Sequence, residues 1–269
     1  MPGTSLTCLV RGELRKVVLQ ASNWAVPVVA VAIGGAAGGA AGDVATGLGP
    51  FQVAIDTYRA FAAAATGVVM LAVSARLAAV EYQEGTIRVV LARGVGRLRL
   101  LLAKLATMGV VALPLLAAAA IGGAVVVTLR LWQQPAPVIW GDVWLAALTV
   151  ALSAGVCGLL GAAAGAVGRS MTFAMAVAAG FFPLDNMLGY LLPILQNATQ
   201  ERVWGDLTTY LLGPTLNHLP SVLMGRRAGE LIPPQLPVDA VHSVLVIAGY
   251  CVALVAAAAL LTWRRDVVE

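Results

Sequence analysis

The stretch RLAAVEYQEGTIRVVLARGVGRLRLLLAK, residues 76–104, lies between two long apolar segments and carries six of the chain's 17 basic residues. Its centre, EYQEGTIRVVLAR, mixes acidic and basic side chains with aliphatic ones, so a helix here would rest one face on a membrane surface and offer another to a partner. Gly94 and Gly96 would end that helix before the next apolar segment. The pattern predicts a structured docking segment rather than an ordinary charged loop.

The composition of the chain excludes an ordinary soluble domain. Hydrophobic residues make up 60% of the sequence and charged residues 11%, and the mean hydropathy is +0.89. Each of six segments can supply the roughly 20 apolar residues that a transmembrane helix needs. None of them shows the alternation of apolar and polar residues that is typical of the strands of a membrane barrel. These predicted spans are 24–42, 60–80, 101–129, 143–168, 170–196 and 241–263. We therefore expect an all-α integral membrane protein with six transmembrane helices.

The distribution of basic residues predicts the orientation of these spans. With a cytoplasmic N-terminus, 12 of the 17 basic residues fall inside and five outside, which matches the positive-inside rule. We therefore expect the chain in the inner (plasma) membrane of the cell, with both termini in the cytoplasm. Because the basic residues follow this topology, they form no basic patch for nucleic acid. Residues 1–23 are expected to form an amphipathic N-terminal helix, and residues 197–240 an outer connection that is amphipathic and partly embedded in the membrane.

The charged segment also carries a resemblance. The pattern E-x-x-E-G-T-I-R-x-x-L-A-x-x-x-x-R-x-x-L-L-x-x-K, from Glu81 to Lys104, resembles the loop between the second and third spans of permease subunits in the ABC transporter type-2 permease family. An E-L-R-K signature at Glu13 to Lys16 and the six-span topology extend the resemblance over nearly the whole chain. It implies an exporter of the type V fold, in which two permease subunits pair and each docks on a separate ATPase.

The resemblance also implies where partners bind. The residues expected to dock the ATPase are Glu13, Arg15, Lys16, Glu81, Glu84, Gly85, Thr86, Arg88 and Arg93. The first span, with Gly34, Gly38 and Gly42 at close-packing spacing, is expected at the subunit interface or along the translocation path. Because Arg76 falls in the last turn of the predicted second span, the start of the coupling helix at 81–100 stays open.

The sequence supplies no motor and no catalytic motif. It contains no G-x-x-x-x-G-K-[ST] loop to hold nucleotide phosphates, so ATP and Mg²⁺ are expected on the partner ATPase and no cofactor on this chain. The three cysteines have no metal-like spacing and are expected to be free thiols. We expect no enzymatic activity of the chain itself, and an apolar lining would favour an amphipathic, lipid-like or drug-like substrate.

Asp185 leaves other interpretations open. An acid within the fifth apolar segment marks a pathway or proton site, and it would suit a secondary, proton-coupled transporter. Alternatively, a helix break at Pro183 would place Asp185 near the outer interface, where it would cap a following helix. A third possibility is a membrane anchor that docks a soluble partner without transport. For Gly161 and Gly165 we predict packing within the subunit.

Overall fold

The computed structural model describes residues 6–19, 50–85, 96–133, 135–168, 170–223 and 236–264. Nearly all of these residues are helical, and they contain no strand. The helices are α1 (Leu6–Leu19), α2 (Pro50–Gln83), α3 (Arg97–Gln133), α4 (Trp140–Gly168), α5 (Met171–Thr199), α6 (Arg202–Thr208), α7 (Leu212–Leu223) and α8 (Ala240–Arg264). The expectation of an all-α membrane protein is confirmed.

Four of these helices, α2, α3, α4 and α8, are long and apolar enough to cross a membrane. The fifth predicted span, 170–196, coincides with α5, which carries Asp185 and does not belong to those four. The first predicted span, 24–42, lies outside the described residues. A total of six spans therefore stays a prediction.

The long helices extend beyond the predicted spans. α2 begins ten residues before the predicted start at 60, because Asp56 pairs with Arg59 one turn later on the same helix, at 3.7 Å between Oδ1 and Nη2. At its other end α2 continues about two turns past Arg76, so residues 81–83 belong to the span helix. Residues 97–100 likewise belong to α3, which reduces the expected coupling segment 81–100 to residues 84–96.

α2 is the centre of the bundle. In the most apolar stretch of α2, 61% of the residues are buried, whereas the corresponding share in α8 is 11%. α2 packs against α3, α4 and α5. Its contact with α4 is close because a Cβ on Gly165 would lie 2.8 Å from the Ala75 carbonyl oxygen, and one on Gly161 would overlap the carbonyl of Leu71. The prediction that these two glycines pack within the subunit is confirmed.

One end of the bundle gathers basic side chains, and we call it the basic end. There α2 finishes, α3 starts, and Lys104 of α3 meets Glu81 of α2. The C-terminus of α8 reaches the same end, since the Arg97 guanidinium donates a hydrogen bond to the Trp263 carbonyl at 3.3 Å. This cation lies where the partial negative charge of the α8 C-terminus favours it.

The opposite end, called here the outer end, carries the start of α2, the end of α3 and the start of α4. Phe51 and Ile55 of α2 are buried in a cluster that Val127 and Leu131 of α3 and Val143 of α4 pack against. The described long helices thus alternate in direction, as consecutive membrane spans must.

In the described part of the predicted outer connection 197–240, the helices α6 and α7 pack onto the bundle. Leu212, Leu216 and Leu219 of α7 are buried together with Val156 of α4 and Ile247 of α8. The apolar content that suggested a segment embedded in lipid is therefore used, in large part, for packing against the bundle.

Candidate functional site

Four charged side chains from three helices meet at the basic end, and we name them the basic-end cluster: Glu13, Lys16, Glu81 and Lys104. Lys16 of α1 donates hydrogen bonds to Glu13 and Glu81, both at 2.7 Å. Lys104 of α3 lies 3.1 Å from the second carboxylate oxygen of Glu81. Two acids and two bases thus neutralise one another where α1, α2 and α3 converge.

Lys104 is the deepest cation of this cluster. Its side chain is 6% exposed, and its ammonium also donates to the carbonyl oxygens of Leu77 and Ala78, at 2.7 and 3.5 Å. These carbonyls belong to the last turns of α2, where a cation is stabilised by the helix dipole and satisfies exposed acceptors. Lys104 therefore fixes the end of α2 on α3 by charge and by hydrogen bonds together.

Lys16 is the accessible cation of the cluster. Its side chain is 50% exposed, whereas that of Glu81 is 3% exposed. Burial alone would lower the pKa of Lys16, but the hydrogen bonds to Glu13 and Glu81 outweigh it and raise that pKa above 10.5. Lys16 is therefore charged at neutral pH, and it attaches α1 to α2 from the solvent side.

α1 is held in place by apolar contacts as well. Leu14 packs against the buried cluster that contains Leu77 of α2 and Met108 of α3. The opposite face of α1 exposes Arg11 and Arg15. This amphipathic helix matches the character expected for the N-terminal segment, with its apolar side on α2 and α3.

α2 ends at a glycine. The Glu84 amide still donates to the Val80 carbonyl at 2.9 Å, and Gly85 then adopts a positive φ of 67°. Glycine reaches this left-handed conformation without the strain that a Cβ would add, and it is the common residue just past a helix end. Glu84 and Gly85 are both exposed.

The predicted docking residues divide by burial. Arg15, Lys16, Glu84 and Gly85 have exposed surface, so a partner can reach them. Glu13 and Glu81 are buried inside the basic-end cluster. Of the remaining predicted docking residues, Thr86, Arg88 and Arg93 lie outside the described residues.

The sequence-based site omitted Lys104 and Arg97. A lysine two turns inside an apolar helix is a signal in itself, because such a cation needs a buried partner. The partner could not be named from the sequence, since Glu81 lies on another helix. For Arg97 the partner is a backbone carbonyl of α8, which no side-chain pattern reveals.

Asp185 is the only charged residue in α5, and it lies at the midpoint of that helix. Its carboxylate is buried and accepts hydrogen bonds from the backbone amides of Gly213 and Leu212, in the first turn of α7. A carboxylate at this position satisfies free amides and complements the positive end of the helix dipole. Of the two interpretations of Asp185, capping of a following helix is what the structure contains.

The route to that cap differs from the expected one. α5 is helical without interruption from Met171 to Thr199, so the predicted break at residue 183 is wrong. Instead the chain turns back after α5, and the N-terminus of α7 lies against the middle of α5. Whether Asp185 also faces a translocation path stays a prediction, and Gly34, Gly38 and Gly42 lie outside the described residues.

α6 and α7 are also attached to α8. The ring Nε2 of His242 lies 3.2 Å from the Thr209 carbonyl, and the Tyr250 hydroxyl donates to the Tyr210 carbonyl at 3.1 Å. Tyr210 and His242 stack edge to face with ring centres 5.2 Å apart. Beside these rings lies an open groove of about 610 Å³, floored by residues of α8 such as Gly249.

The described charged residues at both ends of the bundle serve mainly as contacts between helices. Among the described residues, no group of three or more His, Cys, Asp or Glu side chains could hold a metal ion. The charged side chains instead join helices to one another, which is a mechanical arrangement.

Comparison with known proteins gives the chain a family. The profile described as "ABC-2 family transporter protein" matches residues 30–267, which is most of the sequence. A search among curated proteins found no match. With apolar helices of membrane-spanning length, the chain is a multi-pass membrane component of a transporter. It belongs to the ABC-2 transporter family, as the type-2 permease pattern at Glu81–Lys104 had predicted.

Proposed function

We propose that this chain is the permease subunit of an ATP-driven exporter and that its basic end docks on a separate ATPase subunit, which holds the ATP and Mg²⁺. The family implies association with ABC ATPases. The observation that carries the docking site is the basic-end cluster, because it joins α1, α2 and α3 on both sides of residues 84–96, of which Glu84, Gly85 and Gly96 are described and exposed.

The cluster explains how a push at this segment would reach the membrane. Separating Glu81 from Lys104 would leave a buried charge without its partner, at a cost of about 3–5 kcal/mol. A force on residues 84–96 therefore moves the end of α2 and the start of α3 together instead of pulling them apart. ATP binding needs only to favour one arrangement of these helices over another.

The docking residues take two roles in this proposal. Arg15, Lys16, Glu84 and Gly85 contact the ATPase, because they are exposed, and the sequence assigns Thr86, Arg88 and Arg93 to the same surface. Glu13 and Glu81 are buried, so we assign them to positioning α1 against α2 rather than to contact.

The wider architecture follows from the sequence. We propose six spans with the basic end in the cytoplasm, so that both termini are cytoplasmic in the inner (plasma) membrane. A second permease subunit, identical or related, would pair through the first span with Gly34, Gly38 and Gly42. Lipid would surround the exposed apolar faces of α3 and α8, and the substrate would be amphipathic, lipid-like or drug-like and move outward.

The secondary-transporter alternative rests on Asp185 alone. Its carboxylate already has a structural task, since it accepts hydrogen bonds from the first turn of α7. A proton-coupling residue would have to abandon this cap in every cycle. We therefore propose that ATP hydrolysis, and not a proton at Asp185, drives transport.

The test is isolation of the full chain from membranes of its own cells in a mild detergent, followed by an ATPase assay. We expect a second chain that hydrolyses ATP to copurify and its activity to rise when both are placed in lipid nanodiscs. Recovery of the chain without ATPase activity in several mild detergents would overturn the proposal. Loss of transport in Asp185→Asn would then support the proton-coupled alternative.

A further inference from the structure

We infer that Asp185 is a positioning residue that makes α5, α6 and α7 one rigid unit, so that the outer helix pair moves with α5 and is not a hinged lid. The inference rests on the proposed transport function only where it concerns movement during the cycle. The attachment itself is a property of this chain alone.

The first argument is the cost of detaching α7. The Asp185 side chain is buried, and the backbone amides of α7 supply its hydrogen bonds. Moving α7 away would leave a carboxylate in an apolar surrounding and the amides of Leu212 and Gly213 without this acceptor. Either loss is expensive at membrane depth, so the carboxylate and the helix end stay together.

Glycines of α5, α6 and α7 lie close to side chains of the neighbouring helix. A Cβ on Gly213 would lie 2.6 Å from the Asp185 carboxylate, and a Cβ on Gly189 of α5 would lie 2.6 Å from the Pro214 ring. A further glycine, Gly205 of α6, lies against the Gln196 side chain of α5. Gly189 of α5 and Gly213 of α7 thus let the two helices lie close together, which is typical of a packed contact and not of a sliding one, whereas Gly205 meets only the flexible end of Gln196.

The contacts of the outer pair with α8 are different in kind. The side chains of His242 and Tyr250 are partly exposed and contact backbone carbonyls, and water can replace such hydrogen bonds at little cost. The buried leucines of α7 also pack on α8, but apolar contacts have no fixed partner atoms and can re-form after a shift. The groove lined by Tyr210, His242 and Tyr250 lies along this weaker seam.

A disulfide tests the rigid unit directly. A Cβ on Gly189 would lie 3.8 Å from the Cβ of Pro214, which is the mean separation in disulfides. We would introduce Gly189→Cys and Pro214→Cys into the full chain after replacing Cys8, Cys157 and Cys251, and would follow cross-linking by a mild oxidant in membranes. The single-cysteine variants are the controls.

The first measurement needs no transport. We expect rapid cross-linking with Asp185 and with Asp185→Asn, because the amide oxygen still accepts from the α7 backbone. With Asp185→Leu, which has similar size and no acceptor, we expect the rate to fall about tenfold. Equal rates for all three would overturn the positioning role, and so would equal loss in Asn and Leu.

The second measurement concerns movement during the cycle. In the complex with its ATPase, we expect equal cross-linking yields without nucleotide, with ADP and with ATP plus vanadate, and unchanged ATP hydrolysis and transport after cross-linking. Inhibition by the disulfide that dithiothreitol reverses would show that the outer pair leaves α5 and would overturn the rigid unit. Because the first measurement is made on the chain alone, failure of the exporter proposal would not be confused with failure of this inference.

Discussion

The two ends of this protein hold buried charge in different ways. At the basic end, four ionised side chains pair with one another, and Lys16 is half exposed to solvent. Where α7 meets α5, the buried carboxylate of Asp185 is stabilised by backbone amides, with glycines bringing the helices into contact. In the basic-end cluster, a charged side chain that loses one partner can pair with another. Asp185, in contrast, is bound by backbone amides of a single helix, α7.

This difference suits the two ends to different tasks. A network with an exposed cation can be rearranged when a partner approaches, because another charge or water can replace a lost contact. A backbone cap offers no replacement, so it holds its helices in one arrangement. We expect regulation at the basic end and rigidity at the outer end, and substitutions can test this contrast.

The largest effect is expected at the buried half of the basic-end cluster. Lys104→Met would remove the ion pair with Glu81 and the hydrogen bonds to the end of α2, lowering the free energy of unfolding by about 3–5 kcal/mol. Thermal unfolding in detergent would measure the loss. Arg99→Ala, an exposed arginine on the same helix, should leave the midpoint nearly unchanged, and the double variant Lys104→Met, Glu81→Gln should recover part of the loss. Equal midpoints for Lys104→Met and Arg99→Ala would contradict the expectation that the buried ion pair of Lys104 stabilises the bundle.

The next effect is expected at the outer cap. Asp185→Leu would remove a charged acceptor from the first turn of α7, lowering the free energy of unfolding by about 1.5–3 kcal/mol, and Asp185→Asn by less, since one acceptor oxygen is kept. Hydrogen exchange at the amides of Leu212, Gly213, Thr215 and Leu216 would report the change locally. Faster exchange spread over the whole chain, with no excess in α7, would contradict a local cap.

A glycine pair sharpens the same comparison. Gly213→Ala would force the Asp185 carboxylate to shift, because the new Cβ would lie 2.6 Å from it, and we expect a loss of about 1–3 kcal/mol in the free energy of unfolding. Gly249 has no atom within 4 Å of a built Cβ, so Gly249→Ala should be neutral or stabilising by up to about 1 kcal/mol. Unfolding curves of both variants would measure these changes. If Gly213→Ala left the free energy of unfolding unchanged, the close approach of α7 to α5 would not require glycine at this position.

The smallest effect on stability is expected at Lys16. Lys16→Ala should lower the free energy of unfolding by less than about 1 kcal/mol, because the half-exposed ion pairs are screened by water. The pKa of Lys16 is raised, so its contribution is complete below pH 10.5 and is lost only as the pH rises through the folded-state value. Unfolding midpoints between pH 6 and 9 should therefore show a constant difference between the two proteins. A difference that changed within this range would mean that another group controls the contact.

Several features of the fold could be read from the sequence because they depend on local patterns. The apolar runs predicted the helices, and the spacing of Gly161 and Gly165 predicted a close helix contact. α2 begins ten residues before the predicted span 60–80, and this additional part contains Asp56 and Arg59, which interrupt the apolar run but pair with each other on one helix.

The contacts that define the two ends could not be predicted in the same way. Lys16 and Glu81 are 65 residues apart, and nothing in either segment names the other. An acid at membrane depth signalled that Asp185 needs a partner, but that partner is a backbone amide 28 residues further along, which has no sequence signature. Glu81 is buried whereas Glu84 is exposed, and this difference can be seen only when α1 is placed against α2 and α3.

The most direct test of the account is ATPase recovery with exposed and control substitutions at the basic end. The full chain carrying Arg15→Ala and Glu84→Ala would be isolated from membranes beside wild type and the exposed control Arg99→Ala. We predict that the double variant inserts and unfolds like wild type but recovers about tenfold less ATPase activity, while Arg99→Ala recovers the wild-type amount. Equal recovery with all three proteins would contradict docking at this end of the bundle.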